Sequence, residues 1–209
     1  MIDAENWMAT VNKLASVKRF SQCELAKPED VLQHSGGVAL VCVHIGSKLK
    51  REKFEVDMES LMIKAILHDI EESELGDVSR LVKYASEEMR KVFAILERKV
   101  AVEIFENAGA ESLFGNWENA KQDDEGVIVS FVDTLCAMEK FRDEICYRGN
   151  HSMIPLLSIS AFENLFSKLF QLDNLFPKSK TILGYRVLCR RIKNEIIQVI
   201  DQPKTGEKT

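Results

Sequence analysis

Four residues of metal-ligand type stand in or beside apolar stretches: His34, the adjacent pair His68 and Asp69, and Asp133. Asp133 lies in Val-Ile-Val-Ser-Phe-Val-Asp-Thr-Leu-Cys-Ala, a run that belongs in a core. An unpaired carboxylate there costs several kcal/mol unless a cation or hydrogen bonds compensate it. His68 and Asp69 close Leu-Met-Ile-Lys-Ala-Ile-Leu, a second segment suited to burial. One divalent ion would compensate both carboxylates and use the two imidazoles as neutral ligands. Each residue alone also has a structural explanation: a histidine at a helix start, an aspartate capping a loop or pairing with Lys or Arg. The ordered set, followed closely by Glu72 and Gly76-Asp77, is what points to a site.

The elements that must position these residues read as helices. Residues 5–17 place Trp7, Met8, Val11, Leu14 and Ala15 at helical spacing, and this first helix stops before Arg19-Phe20. Residues 21–33, with Pro28, Glu29 and Asp30, lack periodicity and form a loop that feeds a helix near Val31. That helix carries Val38, Val41, Cys42, Ile45 and Leu49 on one face. A third runs from about Asp57 to Ile70, with Leu61, Ala65 and His68 on one face, and breaks before Gly76. Ala85–Asn107 forms a long surface helix, with Met89, Phe93, Leu96, Val100 and Ile104 in steps of three and four. Further helices fit Glu125–Arg148, Ser158–Gln171 and Lys178–Ile200. No period-two alternation is convincing, so the fold class is all-α: a compact multi-helix domain over residues 1–201, with Gln202–Thr209 as a flexible tail.

Composition removes several functions. The 209 residues are 45% hydrophobic and 29% charged, which suits a globular chain rather than a disordered one. A net charge of -5 offers no footprint for a nucleic-acid polymer outside a local patch. The longest apolar run, Val38–Val43, is far too short to span a membrane, and the acidic N-terminus does not resemble a signal peptide; a cytoplasmic setting is expected. The five cysteines form no CxxC pair and read as reduced core residues.

Certain stretches together resemble a known family: Lys-Arg-Phe at 18–20, Gln-His-Ser at 33–35, His-Asp-Ile-Glu-Glu at 68–72, Gly-Asp at 76–77, Val-Lys-Tyr at 82–84 and Val-Asp-Thr-Leu-Cys-Ala at 132–137. Over most of the first 150 residues the chain resembles the HD-domain metal-dependent phosphohydrolases, and within them the small bacterial 5'-deoxynucleotidases of the YfbR type. It is also similar to phage enzymes of this fold that split dATP into deoxyadenosine and triphosphate.

The resemblance implies that His34, His68, Asp69 and Asp133 bind the catalytic metal. Two imidazoles and two carboxylates suit Mn, Co, Fe, Zn or Ni better than Mg. Such an ion would polarise a phosphoryl oxygen and lower the pKa of an attacking water. Glu72 matches the family's proton-transfer glutamate, while Glu71 and Glu74 read as solvated helix-end acids. Asp77 matches a position that contacts the sugar or the phosphate end, or else it forms a turn after Gly76. Arg19 and Phe20 match an Arg-aromatic pair facing the nucleotide, where the family more often has Trp; Phe20 would serve as a stacking ring or as a core anchor. Arg80 and Lys83 would supply cations beside phosphate, and Ser130 stands where relatives commonly have a lysine. His44 reads as a satisfied buried or interhelical residue and His151 as an exposed one. Ser35, Thr134 and Tyr84 would pack or hydrogen-bond near the site.

The implied substrate is a deoxynucleotide cleaved at its 5' phosphoryl group. The first expectation is dATP hydrolysis to deoxyadenosine and triphosphate, with additional Mg accompanying the triphosphate. The alternative is a 5'-deoxynucleotidase acting on dNMPs. A non-catalytic metal-binding module is a rival of another class, and a cyclic-dinucleotide phosphodiesterase a distant one. A homo-oligomer is expected, with segments after residue 150 as interfaces.

Overall fold

The structure of the chain, a computed structural model, describes residues 3–157 and 159–201, without the side chains of Arg80, Leu81 and Ile159. The expected tail, Gln202–Thr209, lies outside the described residues, as does Ser158. Helices come in the order α1 (Asp3–Leu14), α2 (Val31–Arg51), α3 (Met58–Leu67), α4 (Glu72–Leu75), α5 (Arg80–Lys83), α6 (Glu87–Asn107), α7 (Phe114–Glu118), α8 (Asp124–Arg142), α9 (Ile159–Leu175) and α10 (Lys180–Ile200). A π-helical turn, Asp143–Tyr147, extends α8, and a 3-10 segment, His151–Leu156, leads to α9. Among the described residues the only extended pairing is one antiparallel bridge between Lys18 and Asp30, so the fold is all-α.

Side-chain caps set where the helices that matter begin. Asp30 caps α2 and forms a reciprocal capping box with Gln33, which fixes the turn that carries His34. Asp57 caps α3, accepting from the amides of Glu59 and Ser60. Asp123 caps α8 through the amide of Gly126, and its other oxygen receives the buried ammonium of Lys64 from α3. That pair ties the start of α8 to the helix that delivers His68.

The core forms where α2, α3, α8, α9 and α10 meet, with Val38, Ile45, Leu61, Phe131, Leu165 and Ile192 all fully buried. Each large apolar side chain so buried contributes about 1.5–3 kcal/mol. Helix α8 is enclosed along most of its length, burying Ile128, Phe131, Val132, Leu135 and Met138, and Asp133 is embedded in that run. A second cluster joins α1, α6 and the end of α3 through Leu14, Val31, Leu67, Ile70, Ile104 and Phe105.

Departures from expectation have local causes. The first helix ends at Leu14, because the chain then pairs back on the segment before α2: Arg19 donates to the Glu29 carbonyl at 3.0 Å and Val31 to that of Val17 at 3.0 Å. The 18–30 loop is therefore closed at its base. Helix α3 stops at Leu67, and tight turns (Ile70 N–H to Leu67 at 3.0 Å, Glu72 N–H to Asp69 at 3.1 Å) carry His68 and Asp69 out of the helical register. The surface helix α6 buries only Ala101, Ile104 and Phe105, while Val92 and Ile95 are exposed. The single helix expected over Glu125–Arg148 is α8 continued by the π turn. The five cysteines are free thiols, Cys42 and Cys189 buried.

Candidate active site

His34 comes from the first turn of α2, His68 and Asp69 from the turn after α3, and Asp133 from the middle of α8. One ligand atom from each lies within 4.8 Å of all the others. His34 Nε2 is 3.2 Å from Asp133 Oδ1 and 3.8 Å from Asp69 Oδ2, and His68 Nε2 is 3.0 Å from Asp69 Oδ2. His68 Nδ1 donates to the Ala65 carbonyl at 2.8 Å, which assigns the ring proton there and turns the Nε2 lone pair toward the carboxylates. Despite its closeness to Asp69, buried Nε2 has no hydrogen-bond partner. A lone pair and a carboxylate oxygen held together without a shared proton fit a divalent cation between them. The donor set of two imidazoles and two carboxylates fits a transition metal.

The electrostatics set the two imidazoles apart: Asp69 and Asp133 raise the His68 pKa against the effect of burial, so a cation bound there would displace a proton. Burial, aided by the Arg19 charge, lowers the His34 pKa, so this imidazole is neutral as a ligand must be. Burial works against ionising Asp133, yet its hydrogen bond to His34 and the Lys121 charge hold it well below the usual carboxylate range. Asp69 is likewise held low against burial by His68 and Lys121.

Glu72, the first residue of α4, is buried, lines the cleft over this cluster and leaves Oε2 without a partner. Burial, together with the charges of Asp69 and Asp77, pushes its pKa up to about 10. Lys83 bridges toward it at 3.9 Å but pairs more closely with Glu97 at 2.8 Å. Glu71 is not the solvated acid expected: it is 5% exposed, because the turn after α3 points it inward, and it accepts from Trp117 Nε1 at 2.8 Å. Burial and Asp69 raise it to about 7. Glu74 is exposed as expected and meets Lys13 at 2.5 Å.

The cleft has a volume of about 240 Å³, with Asp69 and Asp133 on its inner side and Phe20, Met138 and Phe141 as an apolar wall. The Phe20 ring meets Phe141 edge-on at 5.4 Å, so it is both a wall of the cleft and a packing residue. Arg19 pairs with Glu29 at 3.1 Å and faces Asp133 and Asp69, whose charges raise its pKa against the effect of burial. Asp77 lines the cleft and accepts from the Phe20 amide at 2.8 Å. The Arg80 side chain lies outside the described residues; its helix, α5, also carries Lys83, which lines the cleft.

Lys121 was not anticipated. Its Nζ lies 3.5 Å from Asp69 Oδ1 and 4.0 Å from Asp133 Oδ2, and it lines the same cleft. Ser130, where a lysine was expected, receives Lys168 Nζ from α9 on its carbonyl at 2.9 Å, and the same ammonium donates to Thr134 at 2.6 Å. His44 is exposed rather than buried, though interhelical as expected, 2.8 Å from the Tyr185 hydroxyl of α10. His151 is exposed, Ser35 is buried, and Tyr84 lines the cleft while 59% exposed.

An all-α fold that gathers a histidine, a His-Asp pair and a distant aspartate beneath a cleft defines an HD-domain metal-dependent phosphohydrolase. The model of the 5'-deoxynucleotidase YfbR-like family matches residues 6–155, and the chain belongs to that family. The 5'-deoxynucleotidase YfbR of Escherichia coli is 26% identical over 162 residues, 75% of this chain and 81% of the relative. That of Salmonella arizonae is 27% identical over 151 residues, 69% and 75% of the two chains. Among solved structures, an HD-domain phosphohydrolase from Listeria innocua superimposes with a TM-score of 0.75 at 18% identity, covering 93% of this chain and 92% of that one. The cyanophage S-2L HD phosphohydrolase DatZ, bound to dA and one catalytic Zn2+ ion, gives 0.55 at 16% identity over 88% and 95%. The protein is thus a metal-dependent deoxynucleotide phosphohydrolase, and among the described residues no helix is long and apolar enough to cross a membrane.

Proposed function

We propose that the protein is a 5'-deoxynucleotidase that hydrolyses deoxynucleoside monophosphates to deoxynucleoside and phosphate. The observation that carries this reading is the charge that the described residues bring to the cleft: the carboxylates Asp69, Glu72, Asp77 and Asp133 against the cations Arg19, Lys83 and Lys121. A bound divalent ion turns that single excess negative charge into a single positive one, or two when Glu72 is protonated. Such a site matches one phosphomonoester, which carries about −1.5 to −2 at neutral pH. Family membership and the YfbR relatives support the same substrate class.

A Co, Mn, Zn, Fe or Ni ion held by His34, His68, Asp69 and Asp133 would polarise the phosphoryl group and acidify water at the site. The chain's own residues do the rest. Glu72, buried and unpaired at Oε2, exchanges the proton between water and the leaving 5' oxygen. Arg19 and Lys83 bind phosphoryl oxygens by charge-assisted hydrogen bonds. Phe20 offers the base an apolar face, and Asp77 uses its second oxygen toward the sugar. Lys83 at the rim favours the second reading, dATP hydrolysis to deoxyadenosine and triphosphate, which needs added Mg because a triphosphate exceeds this charge balance. The exposed side chains Phe170, Leu183 and Val187, all beyond residue 150, suit the expected self-association.

Product analysis tests the assignment. With Co or Mn and each dNMP, dNTP and ribonucleotide in turn, orthophosphate and nucleoside from dNMPs support it. Triphosphate released from dATP alone moves the assignment to the second reading, and no turnover with any metal overturns both.

A further inference from the structure

Among the described residues three cations face the cleft, and they are held differently. Arg19 has Glu29 and Lys83 has Glu97 as ion-pair partners outside the ligand cluster, at 3.1 and 2.8 Å. Lys121 instead contacts two ligands of the cluster itself, Asp69 Oδ1 at 3.5 Å and Asp133 Oδ2 at 4.0 Å. The histidines approach the opposite oxygens, Asp69 Oδ2 and Asp133 Oδ1. Lys121 therefore sits outside the cavity the imidazoles face, on the cleft side of the two carboxylates. Its contacts are long for ion pairs, and its side chain is 45% exposed.

The base of this lysine is fixed, and its tip makes only the two long contacts. Ala120 is buried, its amide donating to the Trp117 carbonyl at 3.0 Å, and the Asp123 cap follows two residues after Lys121. The loop presses on the first turn of α8 so closely that a Cβ on Gly126 would lie 2.5 Å from the Asn119 carbonyl oxygen and 3.0 Å from the Lys121 nitrogen. A backbone held this firmly, carrying a long and half-exposed side chain, gives a cation that can swing over a short arc without any backbone movement.

We propose that Lys121 is an exchangeable counter-cation: it neutralises the outer oxygens of Asp69 and Asp133 in the metal-free protein and turns to the phosphoryl group of the nucleotide once those carboxylates serve a metal. The proposal rests on reading the cleft as a phosphomonoester site. With a divalent ion held by the four ligands, Asp69 and Asp133 would have less negative charge to offer the ammonium, and a phosphate oxygen arriving on the cleft side would then be its best partner. The cost is a penalty on metal binding, and the gain is affinity for the anion.

Lys121→Met and Lys121→Arg test both halves. Calorimetric Co titration of the metal-free proteins, with no substrate present, should show Lys121→Met binding about fivefold more tightly than the parent, as expected for removing one partly solvated charge contact. Inorganic phosphate titrated into the Co-loaded proteins should bind Lys121→Met at least about tenfold more weakly, with KM for a dNMP rising in parallel. Lys121→Arg should stay within about twofold of the parent in both titrations, because it keeps the charge. Unchanged or weaker Co binding by Lys121→Met overturns the exchange. Unchanged phosphate affinity overturns the role toward substrate. Absence of turnover in the parent would sink the nucleotidase reading while leaving both titrations to decide Lys121.

Discussion

The amide of Phe20 donates a hydrogen bond to Asp77 Oδ2 at 2.8 Å across a separation of 57 residues, and Phe20 itself sits at a φ of +54°. A phenylalanine in the left-handed region costs of order 1–3 kcal/mol and persists only where other contacts impose it. Here the carboxylate supplies that contact. It joins the loop that carries Arg19 to the turn between α4 and α5, so the cleft wall and the α5 cation are positioned together.

Replacing Asp77 with alanine should therefore act on the loop as much as on the ligand. Stability is expected to fall by about 2 kcal/mol, the worth of a hydrogen bond to a charged group, and KM to rise while kcat changes less. Urea midpoints and steady-state kinetics check this. Asp77→Asn, whose amide oxygen can still accept from Phe20, should recover most of the stability, and an Asp77→Ala variant as stable as the parent would place Asp77 on the substrate alone.

Glu72→Gln keeps the shape and removes the exchangeable proton. The expected outcome is a kcat lower by roughly 10²–10⁴-fold with Co affinity and fold retained. A variant that turns over normally would remove Glu72 from proton transfer.

Metal should stabilise the fold as well as the reaction, since the proposed ligands, three buried and one half-buried, come from α2, α8 and the turn after α3. After chelation, Zn or Co at 100 times its Kd should restore about 2.7 kcal/mol of stability. His68→Ala should abolish that restoration, as read from the thermal midpoint against metal concentration.

Glu144 makes a pH prediction at a distance from the metal. It is fully buried in the π turn and accepts from the amides of Ala26 at 2.8 Å and Lys27 at 2.9 Å, from Asn150 at 2.7 Å and from Lys140 at 2.7 Å. Burial opposes its charge, but the hydrogen bonds from Asn150, Lys140 and the loop amides bring its pKa down to about 2. A carboxylate depressed from the ordinary 4.5 contributes stability that is complete above that value and is lost as pH falls toward 2. Glu144→Gln should cost about 3 kcal/mol at neutral pH by leaving Lys140 uncompensated. The gap from the parent should close as pH falls from 5 to 2 in urea titrations; a gap independent of pH would sink the assignment.

The ligand cluster is legible in the sequence because His34, His68, Asp69 and Asp133 are residue types that apolar segments do not carry without compensation. The helices are legible for a related reason, since their apolar spacing has to match the core they bury. Lys121 is not legible: Asn-Ala-Lys-Gln-Asp-Asp has the pattern of any solvated loop, and only the approach of that loop to Gly126 aims it. Glu71 and Glu144 escape for the same reason, each a polar residue buried by a turn whose direction has no periodic signature. The ends of α1 and α3 depend on hydrogen bonds between segments distant from those ends or on tight turns, neither of which shows as a break in hydrophobic spacing.

The π turn at Asp143–Tyr147 acts as a gear at the C-terminal end of α8. One residue more or fewer in a helix rotates all that follows by about 100°. Deleting a single residue there would return the chain to regular winding, swing Glu144 away from Ala26 and Lys27, and release the 18–30 loop that presents Arg19 and Phe20. Insertions and deletions at 143–147 would thus shift Arg19 and Phe20 at the cleft while leaving His34, His68, Asp69 and Asp133 in sequence untouched.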